Sequence, residues 1–269
     1  ATGSFRILVR GGLPRTMGSD FAGEIAAVGP GVQGWSTGDP VMGFIDPFAR
    51  PAGTFAEYVP VPVGFVTRRP QGVHEVLGAA LPCVGATAVA LCELARVGAG
   101  SSVLVNGASG GVGHVTLQVA KARGALVAAT ASAARRRFVT ELGADEFIDY
   151  RERPVSDWPM AFDAVLDCVP NLPRASHRRL LKRGGHYAST LPNGWTYTLD
   201  PVLNRMGRLQ RHAVMLQPDE RAFEELLAGV SAGKLRCEIA GVFPLEDAAR
   251  AIELSQTGHV AGKIVIRVA

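Results

Sequence analysis

The residues of this chain best placed to do chemistry are Asn106-Gly107-Ala108-Ser109-Gly110-Gly111-Val112-Gly113. They follow an apolar run from Ser102 to Val105 and open a helical pattern from Val115 to Arg123. Glycines at 110, 111 and 113 permit a tight turn and let backbone amides approach phosphate oxygens with no Cβ in the way; a helix N-terminus adds partial positive charge. Ser109, Gly110, Gly111, Val112 and Gly113 are therefore expected to hold the pyrophosphate of a dinucleotide. A purely structural glycine turn is the alternative, but the strand before it and the helix after it are the context that a binding motif demands. About 20 residues beyond such glycines a carboxylate would hold the ribose hydroxyls of NAD. Here the chain reads Thr130-Ala131-Ser132-Ala133-Ala134-Arg135-Arg136-Arg137 instead. Hydroxyl and guanidinium groups suit a 2′-phosphate, because arginine gives paired, charge-assisted hydrogen bonds. NADPH is thus expected over NADH, with Thr130, Ser132, Arg135 and Arg136 as its contacts. The alternative is a solvated arginine face, which fits poorly at a helix N-terminus where the dipole disfavours cations.

These residues need elements to present them. Apolar runs at Ala125 to Thr130, Glu146 to Asp149, Asp163 to Asp167, His186 to Thr190 and Arg211 to Leu216 alternate with helix-like stretches such as Ala134 to Leu142 and Ala175 to Lys182. That alternation predicts an α/β domain with a doubly wound parallel sheet. Ligands of such sheets collect beyond the carboxyl ends of the strands, so Cys168, Val169, Ser189 and Leu191 are expected to line the cofactor cleft. Before residue 85 the texture is glycine, proline and short strands at Gly23 to Val28, Pro40 to Gly43 and Phe55 to Val61. After residue 217 come a helix from Asp219 to Ala232, a strand from Leu235 to Val242, a helix from Leu245 to Thr257 and a strand from Lys263 to Val268.

Composition narrows the class. With 269 residues, 47% hydrophobic and 19% charged, the chain can bury one large core or two ordinary ones. A net charge of +4 and a pI near 9.1 arise from short basic groups without interleaved aromatics, so no nucleic-acid partner is expected. No apolar run approaches a membrane span and no signal segment opens the chain, so the expected setting is cytoplasmic, away from membranes. Cys83, Cys92, Cys168 and Cys237 lack paired spacing and read as buried thiols of a reducing compartment.

Gly18-Ser19-Asp20-Phe21-Ala22-Gly23-Glu24, Gly29-Pro30-Gly31-Val32, Gly38-Asp39-Pro40-Val41, Gly53-Thr54-Phe55-Ala56-Glu57-Tyr58, the glycine turn, Leu142-Gly143-Ala144-Asp145, Leu181-Lys182-Arg183-Gly184-Gly185 and Gly262-Lys263-Ile264-Val265 occur in order along the chain. Together they resemble the medium-chain dehydrogenase/reductase superfamily, in its zinc-independent quinone oxidoreductase-like and enoyl reductase-like branch. The resemblance implies a Rossmann NADPH-binding domain over 87–217. It also implies a partial GroES-like substrate domain over 1–86, N-terminally incomplete because the family's first strands have no counterpart. Residues 218–269 would return to that domain. A small-molecule substrate and a homodimer are implied as well. Thr87 aligns with a family residue near the carboxamide, or else caps a helix start; Tyr150 matches one near the adenine ribose phosphate. Phe44, Phe48 and Trp195 are candidates for an apolar substrate wall, with core packing as the commoner role of isolated aromatics.

The chain departs from the family in places. Ser4 and Ile7 stand where an asparagine and an aspartate are usual, so Ser4 is expected to donate the shorter hydrogen bond at the nicotinamide end. The tyrosine that assists enoyl-thioester reductases is missing from Gly11 to Thr16, which leaves Tyr58 as the catalytic candidate, on a strand where tyrosine usually packs. Zinc-dependent relatives carry histidine and glutamate at the positions of Ser19 and Asp20, and a four-cysteine lobe; neither is present, so no metal is expected. The six histidines are expected to be surface or packing residues, with His114 at the helix start as the one candidate neighbour of the phosphates. These residues suit hydride transfer from NADPH to a quinone or an α,β-unsaturated carbonyl, with the oxyanion protonated from solvent. The alternative is a redox-silent relative that uses the cleft as a cyclase or binding scaffold.

Overall fold

The computed structural model describes residues 16–45, 53–158, 161–191, 199–205, 207, 210–214 and 219–268. A small antiparallel sheet comes first, with β1 (Asp20–Glu24), β2 (Pro40–Phe44) and β3 (Val66–Arg68) in that order. β1 ends at Glu24, opposite Pro40, rather than continuing to Val28; beyond that pair Ile25 still bonds to the Asp39 carbonyl and the Gly38 N–H. The expected strand at Phe55 to Val61 is irregular; Pro60 and Pro62 remove ladder donors there. Phe44 is buried, with its ring edge-on to Phe65 at 5.8 Å and 6.2 Å from Phe223. It is thus a core residue, not a substrate wall. Phe48 and Trp195 lie outside the described residues.

Two helices link this sheet to the larger one. α1 covers Glu75–Ala80 and α2 covers Pro82–Leu94, with Pro82 at its first turn, where a missing N–H costs nothing. α2 runs unbroken across residues 86 and 87, where the resemblance implies a domain boundary, and Leu81, Val84, Ala88 and Leu91 enter the main core.

The larger sheet has six parallel strands, β4 (Ser102–Asn106), β5 (Leu126–Ala131), β6 (Glu146–Asp149), β7 (Phe162–Asp167), β8 (Leu181–Ser189) and β9 (Gln210–Ala213). Their order is β6-β5-β4-β7-β8-β9, a doubly wound arrangement whose direction reverses between β4 and β7, and ligands bind at that reversal. α3 (Gly113–Ala122), α4 (Arg136–Glu141), α5 (Arg174–Leu180) and α6 (Asp200–Arg205) lie between the strands. Side chains alternate along β4: Val103 and Val105 join the core shared with α2 and α3, while Leu104 joins Ile148, Trp158, Val165 and Leu180 on the other face. β8 starts five residues before the expected His186, with a register shift between Phe162 and Ala164 that absorbs Gly184-Gly185.

α7 (Glu220–Ser231), capped by the Asp219 carboxylate, then β10 (Ile239–Pro244), α8 (Ala248–Gln256) and β11 (Lys263–Arg267) complete the chain. β10 and β11 pair in parallel. α7 approaches α2 closely, since a Cβ at Gly85 would run into Leu226, which is fully buried. No helix among the described residues is long and apolar enough to cross a membrane.

Leu226→Ala should therefore lower unfolding stability by about 2–5 kcal/mol in denaturant titration, the usual cost of emptying a core leucine site. A loss below about 1 kcal/mol would contradict the close packing of α7 on α2.

Candidate functional site

The glycine turn leaves β4 at the sheet's point of reversal and enters α3. Gly107 has φ +74°, and a Cβ there would strike Val169; a Cβ at Gly113 would overlap the Gly107 carbonyl. Only glycine fits either position. Among the described residues the amides of Gly111, Val112 and Gly113 have no backbone acceptor. They are the orphan donors of a helix N-terminus, in a place where an added Cβ at Gly110 would already touch the Gly107 carbonyl at 3.4 Å. These observations fit a nucleotide pyrophosphate.

A buried hydrogen-bond chain shapes the turn from below. The Gly107 N–H donates to Thr130 Oγ1 at 2.9 Å, and that hydroxyl donates to Asn106 Oδ1 at 2.8 Å. Asn106 Nδ2 donates to Asp167 Oδ1 at 2.7 Å and to Asn171 Oδ1 at 3.0 Å. Tyr187 closes the chain by donating its hydroxyl to Asp167 Oδ2 at 2.6 Å. Burial, with the charge of Asp167 next, pushes the Tyr187 hydroxyl far above its ordinary pKa, so it remains a donor. Thr130 thus supports the turn from the interior and does not face the cleft.

His114 braces the other side. Its Nε2 accepts the Glu238 N–H at 3.1 Å, which leaves Nδ1 to donate to the Gly110 carbonyl at 2.9 Å. Burial lowers its pKa and keeps it neutral. Both ring nitrogens are engaged within the protein, so the histidine orders the turn rather than meeting phosphate.

At the end of β5, Ser132 stands half-buried at the start of a short turn, its carbonyl accepting the Arg135 N–H at 2.8 Å and its hydroxyl making no capping bond. Arg135 donates to the His259 carbonyl at 2.8 Å, and Arg136 lies over the Phe147 ring at 5.2 Å. Tyr150, exposed beyond β6, carries the guanidinium of Arg151 over its ring at 5.9 Å. Sequence reasoning passed over Arg151, although a third guanidinium directly after Tyr150 was there to be seen.

Cys168 hydrogen-bonds weakly to Thr116 Oγ1 at 3.6 Å and is pushed up strongly by burial, so it remains a thiol. Val169 covers Gly107. Ser189 Oγ engages Leu191 at the end of β8. Thr87 sits within α2, not at its start, and its hydroxyl donates to the Cys83 carbonyl at 2.7 Å. Tyr58 is 75% exposed in an irregular segment, on the rim of a groove of about 1560 Å³ between β1 and β11; the expected packed strand position is not what the fold gives. Ser4 lies outside the described residues.

Asp20 and Lys263 escaped sequence reasoning as a pair, being 243 residues apart. Asp20 Oδ1 accepts the Cys83 N–H at 2.6 Å, and Oδ2 accepts from Lys263 Nζ at 3.1 Å. Cys83 is pushed up to about 12, first by burial and then by the Asp20 charge. This donor set does not fit zinc: an ammonium already neutralises Asp20. Among the described residues no three His, Cys, Asp or Glu side chains converge on one point.

Two outcomes follow. Thr130→Val leaves the Gly107 N–H buried without its acceptor and should cost about 1–3 kcal/mol in urea denaturation. His177 stacks on Tyr187 at 3.8 Å, and burial, with repulsion from Arg211 next, lowers its pKa from 6.5 to about 4. The unfolded chain takes up that proton at the ordinary value, so stability present above pH 6.5 is lost as pH falls toward 4. His177→Phe keeps an aromatic stack and should flatten the decline of Tm across that window; an unchanged decline would exclude His177 as its source.

Residues 3–71 match the family described as alcohol dehydrogenase GroES-like domain, and residues 142–266 the family described as zinc-binding dehydrogenase. The chain is 33% identical over 276 residues to the chloroplast envelope quinone oxidoreductase homolog of Arabidopsis thaliana, across 96% of this chain and 83% of that one. It is 31% identical over 266 residues to the 2-methylene-furan-3-one reductase of Solanum lycopersicum, across 94% of this chain and 64% of that one. The solved quinone oxidoreductase from Coxiella burnetii superposes with a TM-score of 0.90 at 32% identity, covering 100% of this chain and 84% of that one. With the strand order and the glycine turn already established, the chain belongs to the medium-chain dehydrogenase/reductase superfamily, in its quinone oxidoreductase-like branch, a family of nicotinamide-dependent oxidoreductases.

Proposed function

We propose that this chain is an NADPH-dependent, zinc-independent oxidoreductase that reduces a quinone or an α,β-unsaturated carbonyl of a small molecule. The observation that carries the reading is the pairing of a turn with unfilled amides at Gly111 to Gly113 with a second strand that ends in Ser132, Arg135 and Arg136 instead of an acid. The reductase and quinone oxidoreductase names of similar proteins support it.

In this reading Ser109 to Gly113 hold the pyrophosphate, while Ser132, Arg135, Arg136 and Tyr150 hold the adenosine end with its 2′-phosphate. Thr87, Cys168, Val169, Ser189 and Leu191 line the nicotinamide end. When bound, the reduced nicotinamide supplies a hydride to an electrophilic carbon. The chain's own residues orient and enclose: Val169 and Leu191 exclude water, and the glycine turn fixes the nucleotide against the sheet. Cys83 and Cys237 are both pushed up to about 12 by burial and so stay protonated, which leaves no thiolate to attack substrate. In this reading the proton that follows the hydride comes from solvent, with Ser4 and Tyr58 as the side-chain candidates for relaying it.

The reading includes a homodimer. Among the described residues β9 is an edge strand of the six-stranded sheet, and Leu199, Val202 and Leu203 beside it are exposed, a combination that a second copy would cover. The four cysteines are free and suit a reducing compartment, the cytoplasm in this proposal.

Purified protein with NADPH and a panel of quinones and enones should oxidise the cofactor, followed by absorbance of the reduced nicotinamide. Changing Arg135→Ala together with Arg136→Ala should raise KM for NADPH about tenfold or more and leave NADH nearly unchanged, since a charge-assisted phosphate contact is removed. Binding without oxidation by any acceptor would favour the redox-silent cyclase or scaffold, and equal effects on the two nucleotides would refute the phosphate assignment.

A further inference from the structure

Lys263 opens β11, and its side chain lies over Gly111 of the turn. A Cβ added at Gly111 would meet Lys263 Cδ at 3.3 Å and the Gly262 carbonyl at 3.4 Å. The Gly262 N–H donates to the Ser109 carbonyl at 3.1 Å, so the start of β11 is fastened to the turn. The ammonium then ends on Asp20 Oδ2 at 3.1 Å, while the other carboxylate oxygen is tied to the Cys83 N–H at 2.6 Å. An acid from β1, itself fixed by the first turn of α2, therefore sets the position of a lysine whose side chain borders Gly111, in the stretch where amides lack backbone acceptors.

We propose that Asp20 is a positioning residue for nucleotide binding, holding Lys263 in place and charged beside the glycine turn so that β1 and β11 take part in gripping the cofactor's phosphates. The proposal rests on the NADPH reading above.

Electrostatics supports the division of labour. Burial at this spot favours the neutral amine, yet the Asp20 carboxylate outweighs it and the Lys263 pKa stands above its ordinary 10.5. The groups facing Lys263 are Asp20 from β1, Cys83 from α2, Cys237 ahead of β10 and His114 from α3, with Glu238 beside Cys237 and His114. Cys83 and Cys237 are pushed up to about 12 and His114 is lowered, so neither thiol nor the imidazole changes charge over mildly alkaline pH. With Asp20 neutralised, burial acts unopposed and Lys263 gives up its proton at a lower pH. Only the ammonium attracts phosphate, so affinity is then lost as pH rises through that lowered value.

The test is the dissociation constant for NADPH, read by fluorescence of the reduced nicotinamide between about pH 7 and 9.5, where the 2′-phosphate (second pKa about 6) stays doubly charged. The wild-type profile should be flat. Asp20→Asn should bind more weakly and lose a further factor of about ten across the range, as the buried ammonium without its carboxylate gives up its proton more readily. Asp20→Asn combined with Lys263→Arg should be flat again, because a guanidinium does not titrate there. Asp20→Glu, which keeps the charge, should stay close to wild type. Asp20→Ser carries the same expectation as the asparagine variant if that one does not fold. An Asp20→Asn or Asp20→Ser profile parallel to wild type overturns the proposal. A wild-type protein that binds NADPH at no pH overturns the cofactor reading, and this proposal with it.

Discussion

The hydroxyl of Thr130 stands between two demands that the rest of the structure meets. It accepts the N–H of Gly107, a residue whose left-handed backbone starts the turn, and it donates to Asn106, the last residue of β4. Asn106 is in turn held by Asp167 at the end of β7, and Asp167 by Tyr187 of β8. Four adjacent strands are thus joined at their carboxyl ends by side chains that water does not reach. Buried polar groups are costly unless every one is satisfied. In this chain every donor of the network has an acceptor: Gly107 N–H has Thr130, Thr130 has Asn106, Asn106 Nδ2 has both Asp167 and Asn171, and Tyr187 has Asp167. The turn is shaped before any ligand arrives, which removes part of the ordering cost of binding.

The C-terminal segment depends on the same turn. Gln118 of α3 takes both the N–H and the carbonyl of Arg236, His114 takes the N–H of Glu238, and Ser109 takes the N–H of Gly262. These contacts carry β10 and β11 across the mouth of the sheet to the ion pair of Lys263 with Asp20. The β domain is therefore attached through the residues that shape the nucleotide site, and the groove between β1 and β11 opens beside it. In the proposed reading, recognition of the nucleotide and placement of the substrate side would share one set of contacts.

Much of this was legible because it is local. The glycine turn, the strand before it and the helix after it announce themselves within a dozen residues, and the expected strand from Glu146 to Asp149 is the one observed. What escaped is non-local or lacks a period. α2 is apolar on nearly every side because it is buried between the main core and α7, so no amphipathic stripe marked it. Arg135 reaches a carbonyl 124 residues away, and no spacing in the sequence records that. Thr130 looked like a ligand contact because a hydroxyl at the end of a second strand often is one; only the fold shows its Oγ1 turned inward. Tyr58 looked packed, but neighbouring prolines deny it a ladder and leave it in solvent.

The central claim is that Gly111, Val112 and Gly113 present amides preset for a dinucleotide phosphate. Amide hydrogen exchange along residues 107–115, with and without saturating NADPH, addresses it most directly. Slowed exchange at those three amides, with Gly107 already protected before the nucleotide is added, is the expected result. Unchanged exchange under saturating NADPH, or a Gly107 amide that becomes protected only with the nucleotide, would contradict it.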